Sequence, residues 1–580
     1  MTVRLNAFSG EIPRLLPRLL PQSAAQVAQD VKLENGAIVP IRRGRYVQRL
    51  DRPANTIHQH QGEWLGWPGN VNAVPGPIAD DRLYITGDGA PKILADGETF
   101  PLAVPRPSFP LSVSLNGTTE PDPDLSQSIL YTYTWVTEFD EESEPAPSSN
   151  ALLWSSGLEV YVGGFTAAPT NRRINRMRIY RSQTSALGEI AFYLIDERPV
   201  ATSAFVDLPD DSTIQEQLPS LEYNQPPENL TGLISMPNGM MVAFVGKRLY
   251  FSEPWRPHAW PEKYILTTDY TIIGLGAIGS SLVIMTAGQP YIAAGTHPES
   301  MSMEKLEVNL PCLSMRGIVD LGNAIAYPSP DGLVTVTQAG PSVVTRQLIT
   351  RDDWQRLNPA SFVAGSFAGR YLTAYAYTDA QDVEQRGLLI IDLSGTEPFI
   401  VRASDDADAM TLDITTGALY LLRNEVDVYE WDALSSPYAE FQWRSKKMVL
   451  PQHANFGAIL IEGEDTMTAE QRATAQARAE ETRRRNRQLI DTDATGGPVN
   501  AMPLGLVTFA GSLLSPVVED EPSFGATVYA DGRPVAQVAT LNEPVRLPSG
   551  FLALTWEVEV RGNQSITAIS LGAAPSELAS

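Results

Sequence analysis

A degenerate strand–turn–strand repeat constrains this chain more than any other feature of its sequence. Short runs of β-branched and aromatic residues flank tight turns rich in glycine, proline or aspartate. Four copies are clear, at residues 82–94, 281–293, 323–336 and 417–431. The later copies recur at roughly the 40–50 residue spacing of propeller blades. Each hairpin must stack on neighbours to bury its faces, so the repeat predicts an all-β fold with a β-propeller core. An irregular β-sandwich with similar hairpins is the alternative.

Residues 107–225 interrupt the repeat between proline-rich segments. Alternating segments at 131–137 and 172–181 predict half-buried strands. About seven strands in about 110 residues is the size of an immunoglobulin or fibronectin type III sandwich. We therefore predict the following domains: an N-terminal arm with the first propeller strands (1–106), an inserted sandwich (107–225), a propeller body (226–465), a projecting helix (466–491) and a small C-terminal β region (498–580).

Only the segment 466–491 reads as a long helix. A capping box begins at Thr468, and the residues that follow are nearly all strong helix formers. Alanines are frequent, but no apolar stripe runs along the segment until Leu489 and Ile490. A helix without an apolar stripe is not buried against its own domain. We expect it to project into solvent or to pack against another subunit.

The charge balance and the side chains that bind metals narrow the classes of function. The chain of 580 residues has 43 Lys and Arg against 68 Asp and Glu, a formal net charge of −25. A net negative charge is the wrong sign for binding nucleic acid through its phosphates. It suits a soluble protein or a surface that repels polyanions. Cys312 is the only cysteine and the five histidines are scattered. We therefore predict no disulfide, no metal site and no cofactor.

No run of about 20 apolar residues is present, so we predict no membrane span.

The segment 274–279 matches the glycine fingerprint of dinucleotide-binding proteins, but a strand follows it where that mechanism needs a helix. A tight turn between two strands explains these glycines better. The Asp331-Gly332 pair similarly predicts a hairpin turn rather than a sialidase-type motif.

Acidic pairs could serve glycosidase chemistry. They occur at Glu141/Glu142, Asp352/Asp353 and Asp405/Asp406, and we interpret all three as solvated turns. No other catalytic motif is recognisable, so we predict no catalytic residues and no enzyme activity.

Two further segments carry candidate binding residues. A basic cluster alternates along one predicted strand: Arg172, Arg173, Arg176, Arg178 and Arg181. Nucleic-acid binding is one interpretation, and we favour charge matching with the acidic loop 138–144 or a neighbouring subunit. Segment 251–261 holds two tryptophans and three prolines. A carbohydrate platform is possible there, and we favour a packed structural corner.

Several stretches resemble the tail nozzle proteins of short-tailed bacteriophages (podoviruses), also called tail tubular protein B or tail hub. The resemblance rests on the opening segments 8–21, 24–29 and 33–44, and on segments 251–261, 286–291 and 327–333. It covers residues 1–460 and extends to phage stabilisation proteins. One departure is Gln29, where the family pattern has asparagine. The chain is also short for the family, which leaves an extended tip domain without support.

The resemblance implies a β-propeller with inserted β-domains and no catalytic residues. It also implies a virion structural protein, made in the host bacterial cytoplasm and assembled as a homohexameric ring. Such a ring would dock to the head–tail adaptor and to tail fibres or spikes, and genomic DNA would pass through its lumen without specific binding. The alternative function, from a different class, is a carbohydrate-binding or glycan-cleaving β-propeller for receptor recognition.

Overall fold

The computed structural model describes residues 2–79, 81–184, 190–209, 216–378, 382–393, 395, 397–464, 469–491 and 522–578. The chain divides into two compact units. Unit 1 combines Met1–Arg49 with Val344–Ser580, and unit 2 is the continuous stretch Leu50–Val343. The described residues are mostly β-strand, as predicted. No helix among them is long and apolar enough to cross a membrane.

The strands of unit 1 that precede unit 2 are short. They are Val3–Leu5 (β1), Ala25–Gln29 (β2), Val31–Lys32 (β3), Val39–Pro40 (β4) and Arg45–Arg49 (β5).

Unit 2 alternates hairpins with a differently organised insert. Its strands up to the end of the insert are Thr56–His60 (β6), Glu63–Trp67 (β7), Asn72–Pro75 (β8), Leu83–Thr86 (β9), Lys92–Ala95 (β10), Glu98–Pro101 (β11), Ser112–Leu115 (β12), Gln127–Ile129 (β13), Tyr131–Thr137 (β14), Leu152–Trp154 (β15), Val160–Gly163 (β16), Ile174–Thr184 (β17), Ile190–Pro199 (β18) and Phe205–Asp207 (β19). The strands after the insert are Thr231–Ser235 (β20), Met241–Val245 (β21), Arg248–Phe251 (β22), Leu266–Thr267 (β23), Ile272–Ile278 (β24), Ser281–Thr286 (β25), Tyr291–Ala294 (β26), Ser302–Lys305 (β27), Val319–Asp320 (β28), Ile325–Ser329 (β29), Gly332–Thr337 (β30) and Gly340–Val343 (β31).

The second part of unit 1 contains both α-helices of the described residues. Its elements are the helices Arg351–Arg356 (α1) and Ala469–Asp491 (α2), and the strands Val363–Phe367 (β32), Arg370–Thr378 (β33), Glu384–Asp392 (β34), Phe399–Ala403 (β35), Ala409–Leu412 (β36), Leu419–Arg423 (β37), Asp427–Glu430 (β38), Phe441–Ser445 (β39), Met448–Ala454 (β40), Ala458–Glu464 (β41), Phe524–Ala530 (β42), Arg533–Val538 (β43), Val545–Arg546 (β44), Ala553–Gly562 (β45) and Ser565–Gly572 (β46).

Four four-stranded antiparallel sheets form the frame of unit 2. They are β8–β11, β20–β23, β24–β27 and β28–β31, and the first strands of successive sheets contact each other. The sheets stack face to face, so both faces of an inner sheet are buried. On β21, Ala243 packs into the cluster that contains Tyr84 of the preceding sheet. Its neighbour Phe244 packs into the cluster that contains Ile284 of the following sheet. Successive propeller blades pack in this way, and closure into a ring stays a prediction.

The insert of unit 2 is a two-layer β-sandwich. One sheet has the order β12–β16–β19 and the other β14–β17–β18, with β13 and β15 paired beside them. Side chains from both sheets share one core, which contains Val162 of the first sheet together with Tyr133 and Ile179 of the second. The strands of the insert, β12 to β19, fall within the range 107–225. Its likeness to the immunoglobulin or fibronectin III type stays a prediction.

Unit 1 is organised around a sheet that joins both parts of the chain. Its path runs β32–β33–β34–β35–β2–β39–β45–β42–β43, and β40 pairs with β45. A second sheet has the order β1–β46–β41–β44, and a third has β36–β37–β38–β5. Strands of residues 1–49 are thus paired with strands beyond residue 398 in all three sheets.

The four repeat copies are all antiparallel hairpins, as the sequence predicted. They are β9–β10, β25–β26, β29–β30 and β37–β38. The predicted propeller body of 226–465 differs from the structure, because its residues divide between the units at Val343 and Val344. The predicted helix at 466–491 corresponds to α2, while its proposed cap, Thr468, lies outside the described residues. The predicted C-terminal β region is present from β42 to β46.

Candidate functional site

The acidic turn after β14 folds into the protein instead of facing solvent. Glu141 is 2% exposed and Glu142 is 1% exposed. The interpretation of this pair as a solvated turn is therefore wrong. An ionised carboxylate in a protein interior needs a cation and several hydrogen-bond donors. Both glutamates have an arginine partner, although Oε1 of Glu141 makes no hydrogen bond among the described residues. Together the two carboxylates define a buried ionic cluster in unit 2.

The Glu142 carboxylate is bound by four side chains. Its Oε1 accepts hydrogen bonds from the hydroxyls of Thr134 at 2.8 Å, Tyr180 at 2.7 Å and Ser220 at 3.2 Å. Its Oε2 accepts from Nη1 of Arg178 at 2.7 Å. Burial, reinforced by this carboxylate, raises the pKa of Tyr180. The phenol therefore stays a donor at neutral pH, and the charge on Glu142 is stabilised by a complete set of donors.

Glu141 makes the second buried ion pair, with Arg172. The arginine is fully buried and its Nη2 donates to Oε2 of the glutamate. The same Nη2 lies 3.4 Å from the carbonyl oxygen of Leu102, just after β11. Nδ1 of His258 lies 3.9 Å from the other oxygen of Glu141. The cluster thus joins the sandwich, the β8–β11 sheet and the 251–261 corner within unit 2.

His258 sits in this cluster as a neutral ring. Its Nε2 lies 3.1 Å from the backbone carbonyl oxygen of Glu142, which can only accept, so we assign the ring proton to Nε2. Burial lowers the pKa of His258 to about 4; the charge of Arg172 reinforces this shift and that of Glu141 opposes it. The histidine therefore acts as a hydrogen-bond donor rather than as a cation at neutral pH.

Four members of the basic cluster pair with the acidic loop 138–144, as favoured, and the fifth, Arg181, pairs instead with Asp207. Every member has a carboxylate partner within unit 2: Arg172 with Glu141, Arg173 with Glu138, Arg176 with Asp140, Arg178 with Glu142, and Arg181 with Asp207. These guanidinium groups are therefore engaged within the chain, and nucleic-acid binding by the cluster is not supported.

The predicted turn at 274–279 is confirmed for Gly279 alone, because Gly274 and Gly276 pair within a strand. The glycines at 274–279 lie on β24 and in its turn into β25, and Gly279 has the positive φ of a tight turn at +57°. The predicted hairpin turn at Asp331 is present between β29 and β30, formed by Pro330 and Asp331, and Gly332 is the first residue of β30. Both sequences are therefore structural.

The other acidic pairs lie in unit 1. Asp353 is in the first turn of α1, where Thr350 caps the helix. Asp405 is half-buried and binds Nη2 of Arg423 at 2.5 Å. Each of these carboxylates has a structural role at its position.

The 251–261 segment is a packed corner, as favoured, with one exception. Ala259 and Trp260 are buried, and the Trp260 indole donates to the carbonyl oxygen of Pro257 at 2.8 Å. Trp255 is different, because it is 57% exposed. The sequence analysis did not separate the two tryptophans, since their spacing in the segment carries no signal of which one is covered.

Sequence reasoning also missed His258 as a member of the cluster, and Tyr84, whose buried hydroxyl is influenced by the charges of Glu141 and Arg172. Tyr84 lies on β9, and burial raises the pKa of its phenol to about 12. Among the described residues, no group of three or more His, Cys, Asp and Glu side chains is placed to hold a metal ion. Burial also raises the pKa of the Cys312 thiol to about 12, which disfavours the nucleophilic thiolate. The cluster's chemistry is that of charge neutralisation and positioning.

His258, which is buried, and His58, which is half-buried, both belong to unit 2 and predict a pH-dependent stability. Burial lowers the pKa of His58 to about 4, as it does for His258. Between pH 4 and 6.5 the unfolded chain binds more protons than the folded one, so the free energy of unfolding falls as the pH falls. Each histidine contributes up to about 1.4 kcal/mol per pH unit in that window. Denaturant titrations of the wild type at pH 4.5, 5.5 and 6.5 measure this slope.

The variant His258→Gln isolates one contribution, because glutamine keeps a donor but does not titrate. Its slope between pH 4.5 and 6.5 should be smaller than that of the wild type. His453→Gln is the control, since this histidine is exposed, and it should leave the slope unchanged. An unchanged slope in His258→Gln would show that this ring is already solvated in the folded protein.

Comparisons with known proteins give little guidance. No protein-family model matches the chain, and no curated protein matches it. Among solved structures, it is similar to PorZ, a surface component of the type-IX secretion system of Porphyromonas gingivalis, at 10% identity and a TM-score of 0.21, covering 60% of this chain and 41% of PorZ. It is also similar to an exo-β-1,3-galactanase from Phanerochaete chrysosporium at 9% identity and a TM-score of 0.21, covering 77% of this chain and 100% of that one. At these TM-scores neither likeness bears on the fold or the function.

Proposed function

We propose that the chain is a non-enzymatic virion protein that forms the tail nozzle, or hub, ring of a short-tailed phage. In this proposal the ring docks to the head–tail adaptor and to tail fibres, and it lines the distal channel for DNA ejection. The sequence resemblance suggests the family. The structural observation that carries the assembly part of the proposal is helix α2.

Helix α2 presents a charged surface that its own unit leaves exposed. The side chains of Arg478, Arg484, Arg485 and Arg487 are exposed. Among its described side chains only Ala479 is buried. Six arginines and four carboxylates give the helix a formal charge of +2, whereas the rest of the chain carries 37 basic and 64 acidic residues, a charge of −27.

A helix of this kind gains its stability from a partner. A helix that is polar on all sides has little apolar surface to bury, and isolated helices are marginal in water. A basic helix on a strongly acidic chain is complementary in charge to a second copy of that chain. We therefore infer that α2 packs on the neighbouring subunit of a ring.

The charge of the remaining surface suits a DNA channel. The five arginines of the basic cluster are engaged by carboxylates within unit 2, so they do not offset the acidic excess elsewhere. A bore lined by part of that excess repels phosphates, and duplex DNA can slide through it without the counterion release that makes binding tight. This supports passage of DNA without specific binding.

Charge reversal on α2 tests the ring. The triple variant Arg484→Glu, Arg485→Glu, Arg487→Glu should convert an oligomer into monomers, because it places acidic side chains against an acidic neighbour. Light scattering after size-exclusion chromatography gives the mass, and negative-stain micrographs show whether the wild type forms rings with a central channel.

A matched control carries the same change in charge elsewhere. The variant Arg52→Glu, Arg106→Glu, Arg533→Glu alters three exposed arginines outside α2 and should stay oligomeric. A wild type that remains monomeric at high concentration, alone and with extracts containing assembling virions, would refute the ring. Tight retention of duplex DNA at physiological salt would refute the repelling channel.

A further inference from the structure

Trp255 is held in a conformation that tryptophan rarely adopts. Its φ angle is +60°, in the left-handed region that favours glycine. For a bulky side chain this backbone is strained, and it persists only where its surroundings fix it. Here the Trp255 amide donates to the carbonyl oxygen of Gly239 at 2.9 Å. The residues that follow it, from Pro257 to Pro261, are buried and anchor the turn.

The opposing segment is shaped to receive the indole. Gly239 also has a positive φ, +68°, and so does its neighbour Asn238. A Cβ on Gly239 would lie 2.4 Å from Cδ2 of Trp255 and 2.8 Å from Cε2. One ring face therefore lies directly over this glycine. Because the residue is nonetheless 57% exposed, the opposite face is open to solvent. Three adjoining left-handed residues thus display a fixed, open aromatic face.

Polar residues belong to the turn that carries Trp255 and to the opposing segment. Asn238 is exposed, and its amide nitrogen donates to the carbonyl oxygen of Thr296 at 3.0 Å, which orients the group and leaves its oxygen available. Arg256 is half-buried, with its guanidinium 5.4 Å from the centre of the Tyr223 ring. Glu253 pairs with Arg256 through a backbone bridge across the turn and accepts a hydrogen bond from the Tyr264 hydroxyl. The surface thus combines the fixed apolar face of the Trp255 indole with amide, guanidinium and carboxylate groups.

We propose that Trp255 is the stacking platform of a carbohydrate-binding site. A pyranose ring has an apolar face of C–H groups that fits a flat indole, and a rim of hydroxyls that needs both donors and acceptors. Asn238, Glu253 and Arg256 supply both kinds of group. The indole does not need to be ordered on binding, which removes an entropic penalty. The site is independent of the ring proposed above, because all of its residues belong to one stretch of unit 2.

Binding of the full-length protein to an array of hexose, N-acetylhexosamine and deoxyhexose oligosaccharides tests the site. Saturation-transfer NMR then measures affinity for the strongest oligosaccharide on the array. Trp255→Ala should weaken that affinity at least tenfold. Gly239→Ala should weaken it several-fold, because the added methyl displaces the ring without removing it. Tyr46→Ala, which removes another exposed aromatic side chain, is the control and should bind as the wild type does.

Each outcome decides the proposal. Loss of sugar binding in Trp255→Ala with an unchanged circular dichroism spectrum supports it. No binding to any sugar on the array overturns it, and so does binding that Trp255→Ala leaves unchanged. If Trp255→Ala instead reduces the oligomer mass while no sugar binds, the indole is a contact between protein subunits. Failure of the ring leaves the sugar result unaffected, because that experiment does not depend on oligomer mass.

Discussion

Replacing Arg172 with alanine should lower the free energy of unfolding of unit 2 by about 3–5 kcal/mol. The substitution leaves the Glu141 carboxylate buried beside His258 without its cation. An unpaired buried charge is far less stable than the pair, and the removed side chain is large and fully buried. Denaturant titration followed by tryptophan fluorescence measures the change.

Two controls separate the charge from the lost volume. The double variant Arg172→Met, Glu141→Gln removes both charges and keeps most of the bulk, so it should recover a large part of the lost stability. Arg176→Ala removes a cation of the same strand region whose partners, Asp140 and Glu197, are more exposed. It should have a small effect. Equal losses in Arg172→Ala and Arg176→Ala would contradict the burial of the Glu141 pair.

The second large effect is expected at Trp443, in the core of unit 1. This residue is fully buried, and its indole donates to the carbonyl oxygen of Ser9 at 3.1 Å. Its ring meets Phe8 edge to face, with the ring centres 5.0 Å apart. Trp443→Ala should therefore destabilise unit 1 by about 3–5 kcal/mol. Residues 2–32 should also lose protection, because β2 pairs with β39, the strand that carries Trp443.

Amide hydrogen exchange measures this effect locally. In Trp443→Ala, amides of β1 and β2 should exchange faster than those of the β20–β23 sheet in unit 2. Leu434→Ala is the matched control in unit 1, because Leu434 is 84% exposed, and it should leave exchange unchanged. Uniformly faster exchange across both units would contradict a local role for this indole.

Local patterns predicted the hairpins, the sandwich insert and the pairing of the arginine cluster. They did so because turn residues, alternation and charge complementarity act over short stretches of sequence. The burial of Glu141 was not predictable in this way. An acidic turn has the composition of a solvated loop, and its partners Arg172 and His258 are 31 and 117 residues away in the sequence. Only the fold brings them together.

The sequence analysis also did not predict that residues 1–49 and 344–580 form one unit, and the reason is the same. Strands β1 and β46 read as ordinary short strands, and nothing in either sequence specifies that Val3 lies opposite Leu571. The display of Trp255 depends on Gly239, which reads as a common turn residue. The local elements of the site could therefore be predicted from the sequence. The contacts between distant segments could be identified only from the structure.

The pairing of β1 with β46 also determines when each unit can fold during translation. Unit 2 is continuous from Leu50 to Val343, so its residues are all available while the ribosome is still adding the second part of unit 1. Unit 1 cannot complete its sheets at that stage, since β2 and β5 pair with strands synthesised hundreds of residues later. During that interval the N-terminal strands have unpaired edges, which are prone to association with other chains. Translation that stops early would therefore yield a folded unit 2 with an exposed N-terminal segment, a natural target for cellular proteases.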